Sequence, residues 1–349
     1  MTLLIIVITL AILFDFINGF HDAANSIATV VTTKVLTPLQ GVLWAAFFNF
    51  IAFFIAKHIF GEFRVANTVA KTVIDTYITL PVILSGIVAA IIWNLFTWWF
   101  AIPSSSSHTL IGGFAGAAIA SGGFQAIHFW GHDGVLVTLS FILIAPLIGL
   151  FAGSLITIVT LNLSKRVKPR KAEIWFRRLQ LFSSAYLSIQ HGLNDSPKVM
   201  GIICVALISF NTTTDPALIP HWMKLSSISD VHDWVPLACF TAIALGTMMG
   251  GWKIMKTVGN KITKLTPFDG FCSQMAGSLT LTLTERLGVP VSTSHVIASN
   301  IMGVGAVKRL SAVRWGITID MLWAWILTIP VSALLASVIF LLVKTIGIS

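Results

Sequence analysis

Two aspartates stand where a charge is expensive to keep. Asp22 lies in the run Phe16–Val31 (FINGFHDAANSIATVV) and Asp195 in Ser188–Ile202 (SIQHGLNDSPKVMGI), both within apolar sequence. A buried carboxylate costs several kcal/mol unless it is paired, protonated or bound to a cation. Their settings match: Gly19-Phe20-His21-Asp22 against Gly192-Leu193-Asn194-Asp195. The expected chemistry is a coupling-cation site at Asp22 and Asp195, with Asn25 and Asn194 as neutral oxygen donors. His21 and His191 lie beside the aspartates as proton carriers. Gly19 and Gly192 suggest helix breaks whose freed carbonyls would join the site. Lys198, three residues past Asp195, would balance that charge or add positive charge for an anion.

A second matched pair consists of hydroxyls. Pro103-Ser104-Ser105-Ser106-Ser107-His108 corresponds to Pro290-Val291-Ser292-Thr293-Ser294-His295, and Gly116 and Gly303 each follow their histidine by eight residues. Proline followed by Ser and Thr ahead of an apolar run is a helix start, so capping explains part of the pattern. Two helix starts aimed at one depth also offer unpaired N–H groups and two positive dipole ends. That arrangement suits an oxyanion such as phosphate or sulfate. The expected anion donors are Ser105, Ser106, Ser107, Ser292, Thr293 and Ser294, with His108 and His295 closing the tips. Ser, His and Asp together also make a hydrolase set. A hydrolase needs one activated serine rather than two equivalent sets, so no enzyme and no cofactor are expected.

The elements that position these residues are membrane helices. The 349-residue chain is 56% hydrophobic and 10% charged, against about 25% charged in soluble proteins. Thr2–Phe20, Pro81–Phe100, Val135–Leu161 and Trp315–Val343 are apolar windows able to span ~30 Å of hydrocarbon. The first lacks a basic start and a cleavage site, so it reads as a helix rather than a signal peptide. The net charge of +9 sits in loops beside the spans, which speaks against nucleic-acid binding. Cys204, Cys239 and Cys272 lack metal spacing and read as small core residues.

Loop charge sets the expected topology. Lys165–Arg178, Lys253–Lys264 and Lys308–Arg314 are basic and read as cytoplasmic, whereas Asn211–Asp233 and Gly122–Gly134 read as external. Phe268–Leu287 and Val289–Val307 must then enter and return on one side, and Pro81–Phe100 and Ile102–Ala120 on the other. Polar tips at that depth are tolerated where they are buried in protein or line a wet cavity. The expected fold is an all-α polytopic membrane protein of two inverted repeats, each with three spanning helices, some broken, and one re-entrant hairpin. Residues 1–163 form the first repeat (tip near 102–108), 164–178 a cytoplasmic basic linker, and 179–349 the second repeat (tip near 288–295). Both termini are expected to be external.

At the two aspartate runs, and at IWNLFTWWFAIPSSSSHTLIGG (Ile92–Gly113) and GVPVSTSH (Gly288–His295), the chain resembles the inorganic phosphate transporter (PiT) family over nearly its whole length. The resemblance implies a secondary active transporter importing inorganic phosphate with a coupling cation, in the inner membrane. It places phosphate at the serine-rich tips and cations near the aspartates. Sodium-coupled members usually carry glutamates where Asn49 and Gln274 align, and His21 replaces the more usual Asn of the family's first signature. The resemblance therefore points to the bacterial low-affinity branch and to H+ rather than Na+, with a metal–phosphate complex as an alternative substrate form. Because the family includes sulfate permeases, sulfate stays open as the anion. A passive anion channel is the remaining alternative, and a homodimer is left open as the assembly.

Overall fold

The computed structural model describes residues 1–60, 64–131 and 134–347. His132 and Asp133, in the segment expected to be external, lie outside the described residues. The first half contains α1 (Thr2–Thr32), α2 (Pro38–Ile55), the short α3 (Arg64–Ala70), the hairpin α4 (Leu80–Trp99) and α5 (Ser106–Gly122), and α6 (Val135–Ser164). The second half contains α7 (Pro169–Thr213), α8 (Trp234–Met249), α9 (Trp252–Lys256), the hairpin α10 (Pro267–Arg286) and α11 (Thr293–Lys308), and α12 (Trp315–Thr345). Among the described residues no strand forms; a single bridge joins Val73 and Ile127.

Among the described residues six helices are long and apolar enough to cross a membrane: α1, α2, α4, α6, α7 and α12. A seventh span arises if α8 and the bent continuation Trp252–Lys261 are counted together. The outside of the molecule is greasy: Leu147 and Phe151 on α6 and Trp323 and Leu334 on α12 are exposed. The inside is polar, with Asp15, Asp22, Asp195 and Lys198 all buried. In water such a surface would drive aggregation; in lipid it needs no cover. The cysteines are free and buried, as expected.

Each packing pair in one half has a counterpart in the other. α1 lies on α8 and α7 on α2; α4 on α1 and α10 on α7; α5 on α12 and α11 on α6; α3 on α7 and α9 on α1. The halves are thus interlocked, each hairpin's second helix resting on the last helix of the other half. The hairpin tips are held the same way. Thr68 of α3 donates to the Gly288 carbonyl (2.7 Å), and Thr257, just past α9, to the Ala101 carbonyl (3.4 Å).

Two expectations need correction. α1 and α7 run unbroken through Gly19 and Gly192. The glycines are there for close approach: a Cβ on Gly19 would strike the Ile243 carbonyl of α8, and one on Gly192 the Asn49 carbonyl of α2. The break falls instead between α8 and α9, which meet at 60°. The basic stretch 164–178 is also not wholly a loop, because α7 starts at Pro169, where proline at the first helical position is well tolerated. Over its 45 residues α7 is roughly 67 Å long at ~1.5 Å per residue, so its basic first turns extend beyond a membrane core.

Candidate functional site at the hairpin tips

α5 and α11 begin identically. Ser105 caps α5, its Oγ accepting from the His108 N–H (3.1 Å), and Ser292 caps α11, its Oγ accepting from the His295 N–H (3.2 Å). Each cap satisfies one first-turn N–H. Those of Ser106, Ser107, Thr293 and Ser294 belong to the first-turn donors that have no intrahelical acceptor.

The hydroxyls just past the caps converge on α1 and α7. Ser106 Oγ donates to Asp22 Oδ2 (3.1 Å) and Ser294 Oγ to Asp22 Oδ1 (3.1 Å). Thr293 Oγ1 lies 3.3 Å from both Asp22 Oδ2 and Asp195 Oδ2. Asn25 Nδ2 donates to Ser294 Oγ at 2.9 Å. Lys198 Nζ donates to Asp195 Oδ1 (2.7 Å), Ser107 Oγ (2.5 Å) and the Val291 carbonyl (2.9 Å). One side chain therefore ties α7 to both tips.

The histidines divide into two kinds. His21 Nδ1 is 2.9 Å from Asp22 Oδ1 and its Nε2 is 3.0 Å from Thr97 Oγ1 on α4. His191 Nε2 lies 3.1 Å from Asp195 Oδ2, and its Nδ1 3.2 Å from Asn49 Oδ1. His108 and His295 face each other instead, with ring centroids 4.9 Å apart. His295 stacks on Trp325 of α12 at 4.1 Å, and Trp325 Nε1 donates to the Pro103 carbonyl (3.0 Å). Trp325 thus clamps one tip to the other.

Asp22, His191 and Asp195 each offer a ligand atom within 4.8 Å of the others. Carboxylates so close repel unless positive charge is shared between them. Lys198 supplies one such charge, and a proton or a bound cation can supply another. The cluster is fully buried, where electrostatic interactions are screened little.

The model of the phosphate transporter family matches residues 18–169 and 161–336. The chain belongs to the phosphate transporter family. It is 45% identical over 339 residues to a Rhizobium meliloti (strain 1021) protein named "Probable low-affinity inorganic phosphate transporter", covering 97% of this chain and 96% of that one. A Bacillus subtilis (strain 168) protein of the same name is 42% identical, covering 99% and 98%. A solved structure described as "The sodium-dependent phosphate transporter" shares the fold, with a TM-score of 0.81 at 24% identity, over 99% of this chain and 100% of that one. This phosphate transporter family member is a multi-pass membrane protein and a transporter, not an enzyme.

Within this family member, the residues singled out from sequence separate clearly. Asp22, Asp195, Asn25, His21, Ser106, Ser107, Thr293 and Ser294 meet in one cluster rather than in separate anion and cation sites. Ser105 and Ser292 spend their hydroxyls on caps. Asn194 Nδ2 donates to the Gln190 carbonyl (2.8 Å) of its own helix. Asn49 and Gln274 hold other elements: Asn49 Nδ2 donates to Thr247 (2.9 Å), and Gln274 accepts from Ser183 (2.9 Å).

Sequence reading missed Thr97, Trp325 and Asp15. Asp15 is fully buried, with Asn18 and Ser196 as its polar neighbours. The signal was present, since Asp15 precedes Asp22 by two helical turns and shares its face.

Proposed function

We propose that this protein imports inorganic phosphate, driven by a coupling cation, with H+ the better candidate than Na+. The observation that carries this reading is the bridge made by Lys198, which brings a positive charge between the two hairpin tips at the starts of α5 and α11. Helix starts and a lysine suit a tetrahedral oxyanion, and no arginine is needed. Phosphate would take the place of the carboxylates as acceptor for Ser106, Thr293 and Ser294, and would accept from Ser107, whose oxygen takes a hydrogen bond from Lys198. Asp22 and His21 would hold the coupling proton. The relatives' names agree on phosphate. The solved neighbour is named for sodium, but amides rather than carboxylates occupy Asn49 and Gln274 here.

The two halves are proposed to be inverted repeats, with the centre between them. The counterpart packing pairs support this, as do the helix ends. Arg177 Nη2 donates to the Lys34 carbonyl (2.7 Å), joining the end of α1 to the start of α7, while Lys57 and Asp233 pair at 2.7 Å where α2 ends and α8 starts. Basic residues gather at the first of these ends, the proposed cytoplasmic side, which leaves both termini external.

Uptake of radiolabelled phosphate into proteoliposomes, with proton and sodium gradients imposed separately, tests the function. The expected result is accumulation above the bath concentration under a proton gradient alone, undiminished by excess sulfate. Equilibration without accumulation would mean a channel, and uptake of sulfate in preference to phosphate a sulfate permease.

A further inference from the structure

Among the residues whose side chains are described, Lys198 is the only buried lysine or arginine. Its ammonium makes three contacts, all to oxygen: a carboxylate at 2.7 Å, a hydroxyl at 2.5 Å and a main-chain carbonyl at 2.9 Å. An ammonium has three N–H donors, so the set is complete. The same set is what a hard cation takes: oxygen ligands only, with a carboxylate among them. The carbonyl belongs to Val291, in the stretch between α10 and α11 that is not helical. It is therefore free to serve a cation, as carbonyls at interrupted membrane helices do.

The first half shows the same place filled without charge. Asn25 follows Asp22 by three residues, as Lys198 follows Asp195. Asn25 donates to Ser294 of the second tip (2.9 Å), and Lys198 to Ser107, the matching residue of the first tip. The two positions are equivalent in spacing and in partner, and they differ by one positive charge.

We propose that the Lys198 ammonium is a built-in cation, standing in a site that would otherwise bind a monovalent metal cation, sodium by charge and ligand type. The chain carries this charge permanently and needs no sodium at Asp195. The charge stays with the protein through each cycle, so it contributes to holding an anion but not to the driving force, which falls to Asp22. This inference rests on the reading of the centre as a phosphate–cation site and assigns one of its charges.

Truncating the lysine should uncover the site. Lys198→Ala leaves Asp195, Ser107 and the Val291 carbonyl around a polar space able to admit water and an ion. A cation that binds only the folded variant raises its unfolding temperature by mass action. The experiment compares purified wild type, Lys198→Ala and the double variant Asp195→Asn with Lys198→Ala, in sodium chloride and in choline chloride of equal ionic strength. Radiolabelled sodium binding and unfolding temperature are read without phosphate. The expected result is saturable sodium binding and a sodium-dependent rise in unfolding temperature for Lys198→Ala, with neither in the wild type or the double variant. Lys198→Ala should also gain sodium stimulation of phosphate uptake. The proposal is overturned if Lys198→Ala ignores sodium in both readouts, if it fails to fold in sodium as in choline, or if the wild type itself binds sodium through Asp195. If phosphate is not the substrate, only the uptake readout fails, so the two readings fall separately.

Discussion

Asp22 and Asp195 occupy matched places in the two halves, yet their surroundings differ. Asp195 has Lys198 one turn on and His191 one turn back, and it accepts a charged hydrogen bond at 2.7 Å. At the same spacings Asp22 has Asn25 and Asn18, and its partners are three hydroxyls and His21. The frame is duplicated and the charge is not. One carboxylate is paired with a lysine within the protein, and the other is proposed to take a charge that can come and go. That asymmetry is what a coupled transporter needs, because a carboxylate locked to a resident cation carries nothing across.

The sharpest way to break this comparison is to remove each carboxylate in turn. Asp195→Asn strands a buried ammonium and should lower stability by about 3–5 kcal/mol, the scale of breaking a buried ion pair. Asp22→Asn removes no fixed partner's countercharge and should unfold at nearly the wild-type temperature. Pairing Asp195→Asn with Lys198→Met should recover most of the loss. Unfolding of the purified variants in detergent reads all three, and equal losses for the two single changes would erase the distinction.

The serines divide in the same spirit. Ser106, Ser107, Thr293 and Ser294 are the proposed anion donors, and Ser105 and Ser292 are caps. A hydrogen bond to a charged partner is worth about 1.5–3 kcal/mol, so each donor lost should weaken phosphate binding roughly ten- to a hundredfold. Ser106→Ala with Thr293→Val should nearly abolish it. Ser105→Ala and Ser292→Ala should instead cost about 1 kcal/mol of stability and leave affinity in place. Binding and thermal unfolding measured on the same preparations separate the groups; a cap variant with the larger affinity loss would reverse the assignment.

Much of this was legible in the sequence because it is local. Hairpins, buried aspartates and helix caps each show within a few residues, and the second half repeats them. What was illegible lies in contacts between distant segments. Nothing near Lys198 says that its ammonium reaches Ser107 and Val291, each more than ninety residues away. Nothing near Pro103 announces Trp325. The glycines were misread for the same reason: a glycine that loosens a helix and one that admits a neighbouring backbone look alike until the neighbour is known, and for Gly19 it is Ile243.

The clamp between the tips should give the smallest effect. Trp325→Phe keeps a ring against His295 but loses the bond to the Pro103 carbonyl, at about 0.5–1.5 kcal/mol. The expected outcome is a modest fall in unfolding temperature with phosphate affinity within a few-fold of wild type. A collapse of binding would mean that tip spacing is held far more tightly by Trp325 than by Lys198.

The central claim is that the exchangeable charge resides at Asp22. Proteoliposomes loaded without sodium and given an inward proton gradient test it most directly, with wild type and Asp22→Asn compared for accumulated phosphate. The account predicts that the wild type concentrates phosphate above the bath level, while Asp22→Asn still folds but does not concentrate it. Undiminished, proton-driven accumulation by Asp22→Asn, or accumulation by the wild type only when sodium is supplied, would contradict it.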